Sequence, residues 1–284
     1  MKAIIENQSY DQERALYGLV NADIKNCSFG GPADGESALK ESNDIEVIDC
    51  DFKMRYVLWH VNDFSLIHVK MDEATRAALW YDDDGKIIDC VLHGPKVLRE
   101  CRDIELFRCD IASDEFAWKC EDISLNECTV ASVYPFLDSK DIELENVKMT
   151  AKYTFQYVQG AKIRNCEFMT KDAFWHSKDV TVEDTFIDSE YIGWYSENLT
   201  LIRCRIRGTQ PFCYCKNLKL VDCVMEGCDR SFEYSSVHAT VKGRVDSIKN
   251  PLSGKIEVDE LGELITEGSV KPCHCEVVVG GTKI

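Results

Sequence analysis

The chain has 284 residues, 45% of them apolar and 29% charged, with 50 acidic against 33 basic side chains and a net charge of −17. A surface this acidic lacks the basic patch that displaces counterions from nucleic acid or anionic lipid, so neither is expected as a partner. No apolar run approaches the roughly 18 residues of a membrane span, and MKAIIENQSYDQER has no basic stretch leading into an apolar one; a cytoplasmic location with reduced thiols is therefore expected for the fifteen cysteines.

Residues 1–15 carry none of the pattern that follows and are expected to cap the first coil. From residue 16 the chain repeats. One column reads Cys27, Cys50, Val69, Cys90, Cys109, Cys128, Val147, Cys166, Thr185, Cys204, Cys223 and Gly243, with spacings of 23, 19 and 21, then 19 seven times, then 20. Eight of the fifteen cysteines fall in it, each expected to act as a small hydrophobe. With this column as zero, position +2 is apolar (Phe29, Phe52, Met71, Leu92, Ile111, Val130, Met149, Phe168, Ile187, Ile206, Met225). So are −3 (Ile24, Val47, Leu66, Ile87, Leu106, Leu125, Leu144, Ile163, Val182, Leu201, Leu220) and −5 (Ile45, Phe64, Gly85, Ile104, Ile123 and onward). These are short strands with period-2 alternation. Position −6 holds only Asp, Asn and Gly, from Asn21 to Asn217, and is read as a left-handed turn repeated in every coil.

A 19-residue period with short strands and tight turns indicates an all-β chain, a single-stranded parallel β-helix of about 12 or more coils, and the usual chirality of parallel connections makes it right-handed. A leucine-rich repeat would need an L-x-x-L-x-L run, which is missing. The extra residues of the second coil fall near Gly30, Gly31, Pro32 and Gly35, read as a surface loop. Regular coils are expected over 16–245 and irregular C-terminal coils with a cap over 246–284, where IEV, LITEG and CEVVVGG still look like strands. All of it makes one domain, 1–284.

Four columns lie between the turns. Position −11 is Leu or Phe in most coils; −10 holds all five tryptophans, Trp59, Trp80, Trp118, Trp175 and Trp194; −9 runs His60, Tyr81, Glu100, Lys119, Asp138, Tyr157, His176, Tyr195, Tyr214, Tyr234; −8 is small. Two packings fit. Either −8 and −10 share the inner face, with tryptophan inside, or the chain turns at −10 and −9 and both aromatic columns point out. Both put −9 outside, which predicts an exposed ribbon over Tyr157, His176, Tyr195, Tyr214 and Tyr234, flanked by Trp175 and Trp194. Such a ribbon suits stacking on sugar faces, because a hexose repeat is about as long as one coil step of roughly 5 Å. It equally suits cross-strand ladders that only stabilise the surface, or a protein contact.

Other candidates are weaker. Asp82-Asp83-Asp84 is the tightest acidic cluster, without an EF-hand pattern. Cys273-His274-Cys275 and Cys213/Cys215 are spaced for strand faces rather than for zinc. His176 is the best acid–base histidine, with no partner that the sequence names. No Walker, nucleophile-elbow, HExxH or dinucleotide pattern occurs, so no cofactor or metal is expected.

The segments AFWHSKDVTVEDTF, GWYSENLTLIRCRI, GTQPFCYCKNLKLVDC, FEYSS and IKNPLSGKI resemble an uncharacterised bacterial domain-of-unknown-function family with the pectin-lyase-like right-handed β-helix fold. Members are sometimes labelled hydrogenases, a label that no metal-cluster cysteine pattern here supports. The wider superfamily holds pectate lyases and polygalacturonases. Of the polygalacturonase segments, Arg205-Ile206-Arg207 is the nearest match, and no Gly-His-Gly occurs. The resemblance implies a fold and no established reaction. The expectation is a cytoplasmic, non-catalytic scaffold binding an oligosaccharide or a protein along the ribbon. The alternative is a carbohydrate-active hydrolase or lyase using the same groove.

Overall fold

Strands short enough to need their neighbours form only if successive coils keep register, and they do. In the computed structural model, which describes residues 2–31 and 36–284, the chain winds as a parallel β-helix of about 14 turns, with no helix among the described residues. It divides into two units, Met1–Glu143 and Leu144–Ile284. In the first, the −3 column pairs Ile24 with Val47, Val47 with Leu66, Leu66 with Ile87 and Ile87 with Leu106. In the second, Ile163, Val182, Leu201 and Leu220 pair in the same order. The +2 column is equally regular, from Phe29–Phe52 in the first unit to Ile206–Met225 in the second. These residues and the −5 column are buried. The loop expected at Gly30, Gly31, Pro32 and Gly35 lies mostly outside the described residues.

Residues 1–15 are not a cap. Strand β1 (Ala3–Glu6) and strand β2 (Ser9–Tyr10) pair in parallel with β3 (Val20–Lys25) and β4 (Ser28–Gly30), so this segment is itself the first coil. Its side chains continue the inner columns: Ile5 lies opposite Ile24, and Tyr10 stacks on Phe29 at 5.1 Å. At the other end the three-sided coil gives way to long strands. Ser236–Lys249 and Ser253–Ile265 run in parallel, Glu276–Val279 joins them, and Thr282–Lys283 closes the edge antiparallel.

The corners follow from backbone handedness. Every residue of column −6 from Asn21 to Asn217 has positive φ, as its composition implies. In the second unit the turns are also tied rung to rung: Asn198 donates to Asp179 at 2.7 Å and Asn217 to Asn198 at 2.8 Å. A second left-handed column sits at −1 and includes His68, Arg108 and Arg203. There charge links neighbouring coils, with Arg108 on Asp89 and Arg203 on Asp184 at 2.6–2.7 Å. These guanidinium groups hold Asp89 and Asp184 below the usual carboxylate range.

The ladder cysteines do more than fill space. Each Sγ lies at a corner where the strand ladder cannot satisfy every backbone group. The Cys90 thiol donates to the carbonyl of Leu66, Cys109 to Ile87, Cys128 to Leu106 and Cys204 to Val182. As acceptors, the sulfurs of Cys50, Cys90 and Cys128 take the N–H of Cys27, Val69 and Cys109. Thr185 performs the same service for Cys166 through its hydroxyl. The role needs a small side chain with a weak donor and acceptor, so cysteine here is a hydrogen-bonding residue as well as an apolar one. All fifteen cysteines are free, thirteen of them buried. Thiol titration after denaturation should therefore count fifteen, while the native protein reacts rapidly at Cys273 and Cys275 alone. A denatured count short by four or more would mean disulfides, and would remove the ground for a reducing compartment.

Candidate aromatic binding face

The turn that carries the aromatic columns is made by two left-handed residues with one residue between them. In the second unit Phe155, Phe174 and Phe212 at −11 have φ of 58–62°, and Tyr157, His176, Tyr195 and Tyr214 at −9 have φ of 54–61°. Two reversals two residues apart keep −11 and −8 inside and turn −10 and −9 outward. This is the second of the two packings considered above: Phe155, Phe174 and Phe212 are buried, as are Val158, Ser177, Ser196 and Cys215, whereas Trp175 and Trp194 are half-buried.

Tyr157, His176, Tyr195 and Tyr214 form one continuous stack. Ring centroids are 5.0, 5.0 and 4.8 Å apart, with interplanar angles of 1°, 7° and 8°. Tyr157 is 54% and Tyr195 46% exposed. Tyr234 was expected to continue the ribbon and does not. It is 9% exposed, because the segment 269–271 folds over it: the amide of Val270 donates to its hydroxyl at 3.0 Å, and the Lys271 ammonium stands 5.0 Å from its ring centre. The exposed ladder thus ends at Tyr214, where burial and the nearby Glu233 carboxylate push the phenol upward from its ordinary pKa.

Ring faces in this ladder are turned toward one another. What the ladder offers solvent is ring edges, three phenol hydroxyls and one imidazole edge, spaced about one coil step apart. Of the uses that the sequence leaves open, the ring faces serve the cross-strand ladder, and solvent meets a row of edges with polar tips.

Trp175 and Trp194 stack at 5.6 Å and 4° beside the ladder, and each indole is pinned, Trp175 to the carbonyl of Tyr191 at 2.9 Å and Trp194 to that of Gln210 at 2.8 Å. Tyr191 also packs edge-on against Trp194 at 5.2 Å, a neighbour with no mark in the repeat. The other flank carries Lys178 and Glu197, 4.0 Å apart. In the first unit, Trp59 and Trp80 stack at 5.7 Å, but His60 and Tyr81 meet edge to face at 74°, and the next two residues of that column are Glu100 and Lys119.

Among the described residues no hydrogen bond or ion pair reaches the His176 ring, whose ring contacts are the two flanking tyrosines. The three aspartates at 82–84 diverge: Asp82 is buried, Asp83 pairs with Arg102, and Asp84 makes the left-handed turn. Cys213 and Cys215 are buried, and desolvation pushes the Cys213 thiol up to about 12. Among the described residues no three His, Cys, Asp or Glu side chains are grouped to hold a metal ion.

The family described as "Protein of unknown function (DUF3737)" matches residues 3–278, and the chain belongs to it. No curated protein matches. Among solved structures, a tailspike protein double mutant of E. coli bacteriophage HK620 in complex with pentasaccharide is 11% identical, with a TM-score of 0.47, covering 98% of this chain and 70% of its own. PfbA, a surface adhesin of Streptococcus pneumoniae, is 9% identical with a TM-score of 0.37, at 92% and 74% coverage. The A-module of the Azotobacter vinelandii mannuronan C-5 epimerase AlgE6 is 10% identical with a TM-score of 0.35, at 97% and 87% coverage. At these scores nothing of what those proteins bind or do is read across.

Proposed function

We propose that the protein is a cytoplasmic, non-catalytic binding protein that holds an oligosaccharide along the ladder Tyr157–His176–Tyr195–Tyr214, with Trp175 and Trp194 as its wall. One observation carries this reading. Glu100, Lys119 and Asp138 occupy the same column with φ of 53–55° and close the same turn without any aromatic stack. The fold therefore does not require rings at −9. A left-handed backbone costs a non-glycine residue roughly 1–2 kcal/mol, and bulky side chains gain nothing there over Asp or Asn. Four rings placed at that cost in successive coils, two of them about half exposed, fit a surface kept for contact. A sugar chain laid along it would meet one hydrogen-bonding tip per residue, at a repeat of about 5 Å.

The test is a thermal-shift screen against neutral and acidic oligosaccharides. Ligand at 100 times its dissociation constant should add about 2.7 kcal/mol of stability. The shift should vanish in Tyr195→Ala and persist in Tyr81→Ala, each compared with its own unliganded midpoint. A panel that shifts nothing, or a shift that survives Tyr195→Ala, overturns the assignment.

A further inference from the structure

The first coil is open on one edge. Among the described residues β1 pairs with β3 and β2 with β4, and neither carries a second strand. The third side is alike: Arg14, Leu16 and Gly18 donate to the carbonyls of Glu36, Ala38 and Lys40 in the next coil. The last strand of the second unit is different, because Thr282–Lys283 lies along Glu276–Val279 and the Ile284 amide donates to Val277 at 3.0 Å. An unpaired edge is a template for another strand, and natural proteins cover it or charge it. This one is apolar at its centre. Ile4 is 65% exposed, and Tyr17 and Val20, in the same two coils, are 53% and 65% exposed.

We propose that β1 is the interface of a two-fold dimer, in which it pairs antiparallel with β1 of a second copy and Ile4 meets Ile4 across the axis. The segment Lys2-Ala3-Ile4-Ile5-Glu6 is self-complementary in that register. Lys2 falls opposite Glu6 of the partner subunit, and Ala3 opposite the partner's Ile5. Because strand side chains alternate, Lys2, Ile4 and Glu6 share the outer face and Ala3 and Ile5 the inner one. The dimer thus sets opposite charges side by side on the outside and covers the inner column at Ile5, which is half-buried at the open end. A parallel pairing in the same register would put Lys2 beside Lys2 and Glu6 beside Glu6, which cross-strand repulsion disfavours. Lys2 is already oriented by Asp23, whose carboxylate lies 2.6 Å from its ammonium.

Sedimentation velocity on the full chain, from about 1 to 100 μM, tests this in the range where interfaces of ordinary size associate. The wild type should sediment as a dimer at the upper end. Ile4→Lys and Ile4→Asp each place like charges on the axis and should sediment as monomers, with at least a tenfold weaker association, while keeping the wild-type circular dichroism. An equimolar mixture of the two variants should recover the dimer, which separates loss of the interface from loss of folding. A wild type that stays monomeric throughout, a dimer that survives Ile4→Lys, or a mixture that stays monomeric overturns the proposal.

Discussion

Gly85→Ile is expected to lower the stability of the protein by about 3 kcal/mol, and a second substitution, Phe64→Ile, to restore most of the loss. Both positions belong to the inner column Ile45, Phe64, Gly85, Ile104. A Cβ on Gly85 would lie 2.3 Å from Cζ of Phe64 and 2.9 Å from Cδ1 of Ile104. The glycine has no left-handed φ, so backbone strain plays no part and volume alone decides the outcome. One coil is overfilled by phenylalanine and the next is emptied to match. Phe64→Ile alone should cost about 1–3 kcal/mol for the space it leaves. The double variant rebuilds the column as four successive isoleucines, the arrangement that Ile104 and Ile123 already show. Urea unfolding of the four proteins in a double-mutant cycle gives the coupling. A coupling below about 0.5 kcal/mol would mean that the two coils pack independently, against the solenoid principle that each coil is stabilised by its neighbours.

Such pairs were visible in the sequence because burial on one face of a short strand leaves a period-2 mark, and because 19-residue coils put that mark in columns. The −6 turn was visible for a different reason, the shared tolerance of Asp, Asn and Gly for left-handed backbone. The −1 corner has the same φ and much of the same mark, since Asn26, Asp49, Asp89, Asn146, Asn165, Asp184 and Asp222 stand there, but His68, Arg108 and Arg203, which bridge acids in adjoining coils, break the run. The corner at −11 and −9 was hidden more deeply, since nothing in Phe174 or Tyr195 signals a φ near 60°. The sequence is therefore compatible with two packings, and that pair of reversals selects one. The cover on Tyr234 comes from residues 35 and 36 positions further on, outside any repeat. The candidate face was thus legible as a column, while its orientation, its lower limit at Tyr214 and the mutual use of ring faces were not.

Asp82→Ser should stabilise the protein near pH 8 by about 2 kcal/mol and should leave it nearly unchanged at pH 4. Asp82 lies in the −8 column between Val61 and Cys101, with 1% exposure. Its Oδ1 accepts the Val61 amide at 2.8 Å, and its Oδ2 has no hydrogen-bond partner among the described residues. Desolvation first, and the Cys101 thiol beside it second, raise its pKa well above the ordinary aspartate range. The sign follows by linkage. Below about pH 4 the carboxyl is protonated in both folded and unfolded chains and contributes no pH dependence. As pH rises past the unfolded pKa, the unfolded chain releases a proton that the folded one retains, so stability falls by up to about 1.4 kcal/mol per pH unit until the folded pKa is reached. Asp89 and Asp184, held low by arginines, act in the opposite sense, which is why the comparison must be between variant and wild type rather than along one curve. Serine suits the site because Ser139 and Ser235 already occupy this column. They accept the amides of Cys120 and Cys215 and donate to the carbonyls of Ala117 and Phe212. Unfolding free energies measured from pH 4 to pH 8 should show a gap that widens with pH, and a gap constant across that range would mean that Asp82 keeps an ordinary pKa in the folded chain.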